Sequence, residues 1–317
     1  MQRVLERPIF IIGCPRSGTT LLFSLLSHSE HLWSLHSESH HIWELVVPIH
    51  RQGFFGSNRA TAEDVTPGVR DFVTRSFLNL LKPGSPELVE KPAVRMVEKT
   101  PRNVYRVPFL RALFPDAAFV FLTRDGRDNI SSLMEGWKHP ERFGTWDLPP
   151  GFTIKGYQGR KWCFALPPGW EELNGCSLAE VCAYQWTSAN EAILASLAEL
   201  PPSSFVRVRY EDLFNHPYRV IEQLAAFLDI PFTGKLREAA ANPPVVNTTS
   251  PPKLGKWRDK HFEEISAILP KIEPTLKRLG YLASEDCLGP SATGSPFEPL
   301  GTVPHHDRVA ALHIQAQ

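Results

Sequence analysis

Eight consecutive residues, Gly13, Cys14, Pro15, Arg16, Ser17, Gly18, Thr19 and Thr20, bring two glycines, one arginine and three hydroxyls into a short segment. Such a loop binds anions when it joins a strand to a helix, because successive backbone N–H groups and the helix N-terminus then converge on one point. The segment nearly matches GxxxxGK[ST]. Thr19, however, stands where a nucleotide kinase or ATPase carries the lysine that reaches the β- and γ-phosphates. A triphosphate with about four negative charges uses that lysine and a divalent metal, whereas a phosphosulfate with about two manages with hydroxyls and one cation. Arg16 supplies the cation. The bland alternative is a glycine turn carrying a solvated arginine.

A second group of the same kind is Thr123, Arg124, Asp125, Gly126, Arg127, Asp128, Asn129, Ile130, Ser131 and Ser132. A guanidinium fork with a hydroxyl brought round by the following helix suits a phosphomonoester better than a lone ammonium does. Two anion sites on one sheet edge point to a doubly phosphorylated nucleotide. The competing reading makes Asp125 a helix cap and Arg127 its surface partner.

Between these two segments lie candidates for moving a proton. Leu35, His36, Ser37, Glu38, Ser39, His40 and His41 follow the first predicted helix, and a histidine or a partly desolvated glutamate can take a proton from an attacking hydroxyl. Glu38, His36 and His40 all remain candidates. As metal ligands, His36, Glu38, His40 and Glu44 lack a second cluster to complete a site. A helix capped by Ser39, with the apolar stripe Ile42, Leu45, Val46 and Ile49, is compatible with catalysis. Lys99, in Glu98-Lys99-Thr100-Pro101, either neutralises charge on the transferring group or is a solvated lysine paired with Glu98.

The elements that must position these groups follow from periodicity. Pro8 to Ile12 reads as a strand, and TTLLFSLLSH after Gly18 as a helix. Arg95–Glu98 predicts a second strand and Asn103–Phe114 an amphipathic helix closed by Pro115. Ala117–Thr123 is apolar nearly throughout, as a strand covered on both faces would be, and precedes a helix over about Arg127–Trp137. Phe205–Val208 and Tyr218–Leu228 repeat the alternation. The predicted fold is α/β, a parallel β-sheet flanked by helices on both faces, with a P-loop-like nucleotide-binding core. Ligands of such sheets bind at the carboxyl ends of the strands.

Residues 139–176 break this rhythm with Phe143, Trp146, Phe152, Tyr157, Trp162, Phe164 and Trp170, and read as a lid or acceptor insertion. The aromatics form either an acceptor pocket or a satellite core beneath a long loop. Residues 283–317, rich in Pro, Gly and Ser, read as a tail beyond a domain of residues 1–282.

Lys plus Arg equals Asp plus Glu, at 34 each, so no global field exists to attract nucleic acid or an anionic membrane. Any phosphate binding is therefore local. Five cysteines without a CxxC pair, and an N-terminal apolar run too short for a signal or a span, predict a cytoplasmic protein.

IIGCPRSGTTLL resembles the 5′-phosphosulfate loop of the sulfotransferases that use 3′-phosphoadenosine 5′-phosphosulfate (PAPS), and FLTRDGRDNISS resembles their 3′-phosphate segment. Similarity continues through EKTPRNVYRVPFLRALFPDA, VRYEDLFNHPYRVIEQLAAFLDIP and LGKWRDKHFEEI, and so covers most of residues 8–281. The arginine at position 16 is closer to the bacterial and tyrosylprotein-type branches than to the many cytosolic members that carry lysine. The resemblance implies that Arg16, Ser17, Gly18, Thr19 and Thr20 hold the 5′-phosphosulfate and that Arg124 and Ser132 hold the 3′-phosphate. It implies Tyr210 at the adenine, and Lys256 with Trp257 on a late closing loop. Glu38 resembles the base of the tyrosylprotein-type branch. The implied reaction is sulfuryl transfer from PAPS, without a metal, to the hydroxyl of a small-molecule, lipid or glycan acceptor. Two other classes compete with it: ATP-dependent phosphoryl transfer, which Thr19 disfavours, and nucleotide binding without turnover.

Overall fold

The computed structural model describes residues 3–47, 56–246 and 251–282. The tail predicted over 283–317, and Ile49 of the apolar stripe, lie outside the described residues. Four short strands, Ile9–Ile12 (β1), Val97–Glu98 (β2), Ala118–Thr123 (β3) and Phe205–Arg209 (β4), form a parallel sheet in the order β4-β3-β1-β2. β1 lies between β3 and β2, with Ile9 opposite both Ala118 and Val97. The chain leaves β1 for one neighbour and returns for the other. The crevice at the carboxyl ends of β1 and β3 is thus a topological switch point, where α/β sheets bind ligands.

Side chains alternate across a strand, and the alternation here fills two core layers. Phe10, Ile12, Phe119 and Phe121 pack with Trp43, Phe109, Trp137 and Trp186. Ile9, Ile11, Val120, Leu122, Val206 and Val208 pack with Leu22 and Leu25 of the helix Thr19–Leu26 (α1) and with Ile221 and Leu224 of the helix Pro217–Leu228. Helices therefore cover both faces, as the unbroken apolar run of β3 predicts. The helix after β3 runs over Gly126–Trp137 (α2).

Several predicted elements differ. The helix expected over Asn103–Phe114 is a 3₁₀ turn, Pro101–Tyr105, followed by a separate helix, Val107–Leu113. Pro108 has no N–H for the bond a continuous helix would need there. The strand expected over Arg95–Glu98 is confined to Val97–Glu98, while Ala93–Val94 pairs with Val4–Leu5. Ser39 stands at the start of the helix His40–Val46, but its hydroxyl donates to Glu98 rather than capping. The buried face is Ile42 and Trp43, with Leu45 63% exposed.

Residues 139–176 contain a hairpin, Gly144–Asp147 with Lys161–Cys163, and a 3₁₀ turn, Trp170–Leu173. Trp162 stacks edge-on against Trp137 and Trp170, so the satellite-core reading holds for the inner aromatics. The 20-residue helix Leu178–Leu197 and the helix Phe262–Arg278 complete the frame. Among the described residues, no helix is long and apolar enough to cross a membrane.

Candidate active site

The loop between β1 and α1 turns sharply enough to need glycine twice. A Cβ on Gly13 would stand 2.5 Å from the carbonyl oxygen of Leu122, and Gly18, at φ +106°, would drive a Cβ to 2.4 Å from the Tyr210 ring. Arg16 itself has φ +70°, an uncommon conformation for a residue with a side chain. Asn129, on α2, holds this turn by donating to the carbonyl oxygen of Pro15 at 2.9 Å. The Ser17 hydroxyl is buried with no partner among the described residues, a donor left over for a group outside the chain.

Arg16 and Arg124 meet. Arg124 NH1 donates to the carbonyl oxygen of Arg16 at 3.0 Å, and Arg16 Nε reaches Ser132 Oγ at 3.4 Å. Arg124 lies 4.5 Å over the Tyr210 ring, and Arg16 5.1 Å over Phe143. Burial, then the charges of Arg142 and Arg124, bring the Arg16 guanidinium down to about 10. Burial likewise pushes the Tyr210 hydroxyl up. Crowded, half-desolvated guanidinium groups favour an anion between them. The capping alternative for this segment is realised as well, since Asp125 accepts from the Arg127 backbone and pairs with its side chain. The two readings use different residues and coexist.

Glu38 sits between two cationic or polar partners. Lys99 Nζ donates to one of its oxygens and His40 Nε2 lies 2.9 Å from the other. Burial raises the Glu38 carboxyl, but the His40 hydrogen bond and the Lys99 charge outweigh it and hold the group at about 2. Lys99 Nζ also donates to Thr20 Oγ1 at 3.0 Å, which ties Glu38 to the start of α1. Lys99 is 1% exposed, so it is not the solvated partner of Glu98. Glu98 is buried too and accepts from Ser39, Thr100, Trp43 and Asn103. This hub fixes the strand end that carries Lys99 against the turn that carries Glu38.

A cavity of about 530 Å³ collects these groups. Of the predicted residues, Arg16, Gly18, Thr19, Thr20, Glu38, Arg124, Ser132, Tyr210 and Lys256 line it. Lys99 and Ser17 are buried and absent from its wall, with Lys99 held behind Thr20 and Glu38. Two of the predicted residues lie off this wall. His36 is exposed and outside the wall, because the chain turns at φ +55° there and leaves His40 beside Glu38 instead. Trp257 stacks on Phe262 away from the cavity, with Arg127 and Arg258 over its ring, so only Lys256 of that pair faces the ligand space. Glu44 is committed to Arg102 and Arg106 rather than to any cluster with His40.

Other wall residues were not singled out from the sequence as parts of the site. Arg102, Arg142, Asp128, Glu135 and Lys260 all border the cavity. Asp128 carried a signal, lying one helical turn before Ser132 on α2. Phe143 and Phe164, stacked 4.9 Å apart, form the apolar part of the wall.

Residues 8–147 and 164–234 match the model of the sulfotransferase family, and the unmatched stretch between them falls within the aromatic insertion. Protein-tyrosine sulfotransferase A of Caenorhabditis elegans is 24% identical over 288 residues, covering 86% of this chain and 67% of its own length. Human protein-tyrosine sulfotransferase 1 is 25% identical over 292 residues, with 86% and 69% covered. Among solved structures, sulfotransferase STF9 from Mycobacterium avium has the same fold, with a TM-score of 0.53 at 16% identity, over 86% of this chain and 76% of that one.

Proposed function

The chain belongs to the sulfotransferase family, and from that premise we propose that it transfers a sulfuryl group from PAPS to a phenolic hydroxyl, releasing adenosine 3′,5′-bisphosphate (PAP). The observation that carries this reading is the convergence of Arg16 and Arg124 on one cavity. Guanidinium forks on one ledge suit the two ends of a bisphosphorylated adenosine. Arg16 with the loop N–H groups takes the 5′-phosphosulfate, Arg124 with Ser132 takes the 3′-phosphate, and Tyr210 borders the base.

In the reaction the acceptor oxygen forms a bond to sulfur as the bond from sulfur to the 5′-phosphate oxygen breaks. The acceptor proton passes to Glu38. The departing phosphate gains negative charge, which Arg16 stabilises directly and Lys99 from one layer behind Thr20. As that charge grows it draws the Lys99 ammonium toward Thr20 and loosens its hold on Glu38.

A carboxylate held near 2 is a weak base, which selects among acceptors. A phenol ionises at about 10, whereas an aliphatic hydroxyl is close to water at about 15.7. The stacked rings of Phe143 and Phe164 offer an aromatic acceptor an edge or a face. The tyrosine sulfotransferase relatives agree with a phenolic acceptor, on a peptide or on a small molecule. Incubation with labelled PAPS and matched panels of tyrosyl peptides, simple phenols, sugars and aliphatic alcohols tests the reading. Label in the first two panels alone supports it, label only in the last two overturns the phenolic assignment, and none in any panel overturns transfer.

A further inference from the structure

The helix α2 begins beside Arg124, and it does more than present Ser132 to the ligand. Two carboxylates on the same helix grip the segment that carries Lys256 into the wall of the cavity. Asp128, 5% exposed, accepts from the backbone N–H of Gly255 at 2.7 Å and from that of Trp257 at 3.2 Å. Two turns further along, Glu135 accepts from Lys260 Nζ at 3.0 Å and lies 2.9 Å from His261 Nε2. Burial acts to raise the Glu135 carboxyl, but Lys138, Lys260 and His261 hold it at about 2, so it stays charged. Lys256 stands between the two backbone donors to Asp128 and faces the cavity.

A carboxylate in the wall of an anion site repels the ligand unless its charge is spent elsewhere. Both Asp128 oxygens receive N–H groups, so the charge is turned toward the turn it holds. Gly255 makes the turn possible, with φ +75°, where a side chain would be strained. Burial, together with Lys260 and Arg124, lowers the Lys256 ammonium, which places it in the same cationic field as Arg124.

We propose that Asp128 is a positioning residue for donor binding: its carboxylate clamps the Gly255–Trp257 turn to α2 and so delivers the Lys256 ammonium to the 3′-phosphate that Arg124 holds. The proposal rests on the assignment of a bisphosphorylated adenosine to this cavity. Glu135 fastens the far end of the segment through Lys260 and His261.

The test is a double-mutant cycle read by calorimetric titration of PAP and by steady-state kinetics in PAPS. Losing a hydrogen bond to a charged group costs about tenfold or more in affinity. Asp128→Asn is expected to weaken PAP about tenfold and to raise KM for PAPS more than it lowers kcat. Lys256→Ala is expected to weaken PAP similarly, and the double variant to be no weaker than Lys256→Ala alone. A purely structural Asp128 would lower the melting temperature while its effect multiplied with that of Lys256→Ala, and that result overturns the clamp. Gly255→Ala, which leaves both carboxylates in place, is expected to reproduce the loss in affinity, and unchanged PAP binding in it also counts against the clamp. Arg124→Ala separates the two claims. If it retains full PAP affinity, the ligand assignment fails; if it loses affinity while Asp128→Asn does not, only the clamp fails.

Discussion

Lys99 Nζ donates to Thr20 Oγ1 at 3.0 Å and to the Glu38 carboxylate, so one buried ammonium joins the phosphate loop to the proposed base. In the proposed reaction, the charge that steadies the departing phosphate and the group that receives the acceptor proton are thereby coupled. Removing Lys99 is expected to damage chemistry more than binding. Lys99→Met should lower kcat by roughly two to three orders of magnitude, the scale of a lost oxyanion donor, while PAP titration shows affinity within about threefold. A kcat near that of the wild type would remove Lys99 from the mechanism.

Glu38→Gln keeps the shape of the side chain and removes its basicity. Turnover is expected to fall by roughly two to four orders of magnitude with PAP still bound. Activity near the wild-type level would move proton transfer to His40, the neighbour that shares the Glu38 carboxylate.

The same carboxylate makes a prediction about stability. Its folded value of about 2 lies below the ordinary 4.5. Its contribution is therefore present above 4.5 and lost as the pH falls through 2. In denaturant titrations of the empty protein, the advantage of wild type over Glu38→Gln should be constant above pH 5 and shrink between pH 4.5 and 2. An advantage that grows on acidification would mean that Glu38 is not held as a carboxylate.

Gly18→Ala tests whether loop shape depends on close approach. A Cβ there would stand 2.4 Å from the Tyr210 ring, at a φ of +106°. The variant is expected to lose about 1 to 3 kcal/mol of stability from strain and to bind PAP at least about tenfold more weakly, by calorimetry. A fully stable, tight-binding variant would show that Tyr210 does not pack on the loop.

Phe143→Ala is expected to raise KM for a phenolic acceptor by about tenfold, the loss of an aromatic contact and its buried area. Because Arg16 lies over the same ring, KM for PAPS should rise too, but less. A change confined to PAPS would place Phe143 on the donor side alone.

Much of this arrangement is written in local sequence. β1 and β3 are apolar runs that end directly in Gly13 and Arg124, so two loops bearing glycine, arginine and hydroxyls on one sheet edge can be read from strand and helix periodicity. What the sequence left open depends on contacts far apart in the chain or on single dihedral angles. Whether Lys99 is exposed turns on Thr20 and Glu38 meeting it, 79 and 61 residues away. The choice between His36 and His40 turns on one left-handed residue, which composition does not mark. Asp128 looks like an ordinary first-turn acid until its partners, 127 and 129 residues on, are in place. The helix break at Pro108 was legible in principle, since proline has no N–H to donate.

The most direct test of the account is PAP titration by calorimetry against wild type, Arg16→Ala, Arg124→Ala and the double variant. One ligand held at both ends predicts a single site of unit stoichiometry, a loss of about tenfold or more in each single variant, and no measurable binding in the double. Full PAP affinity in either single variant would contradict it.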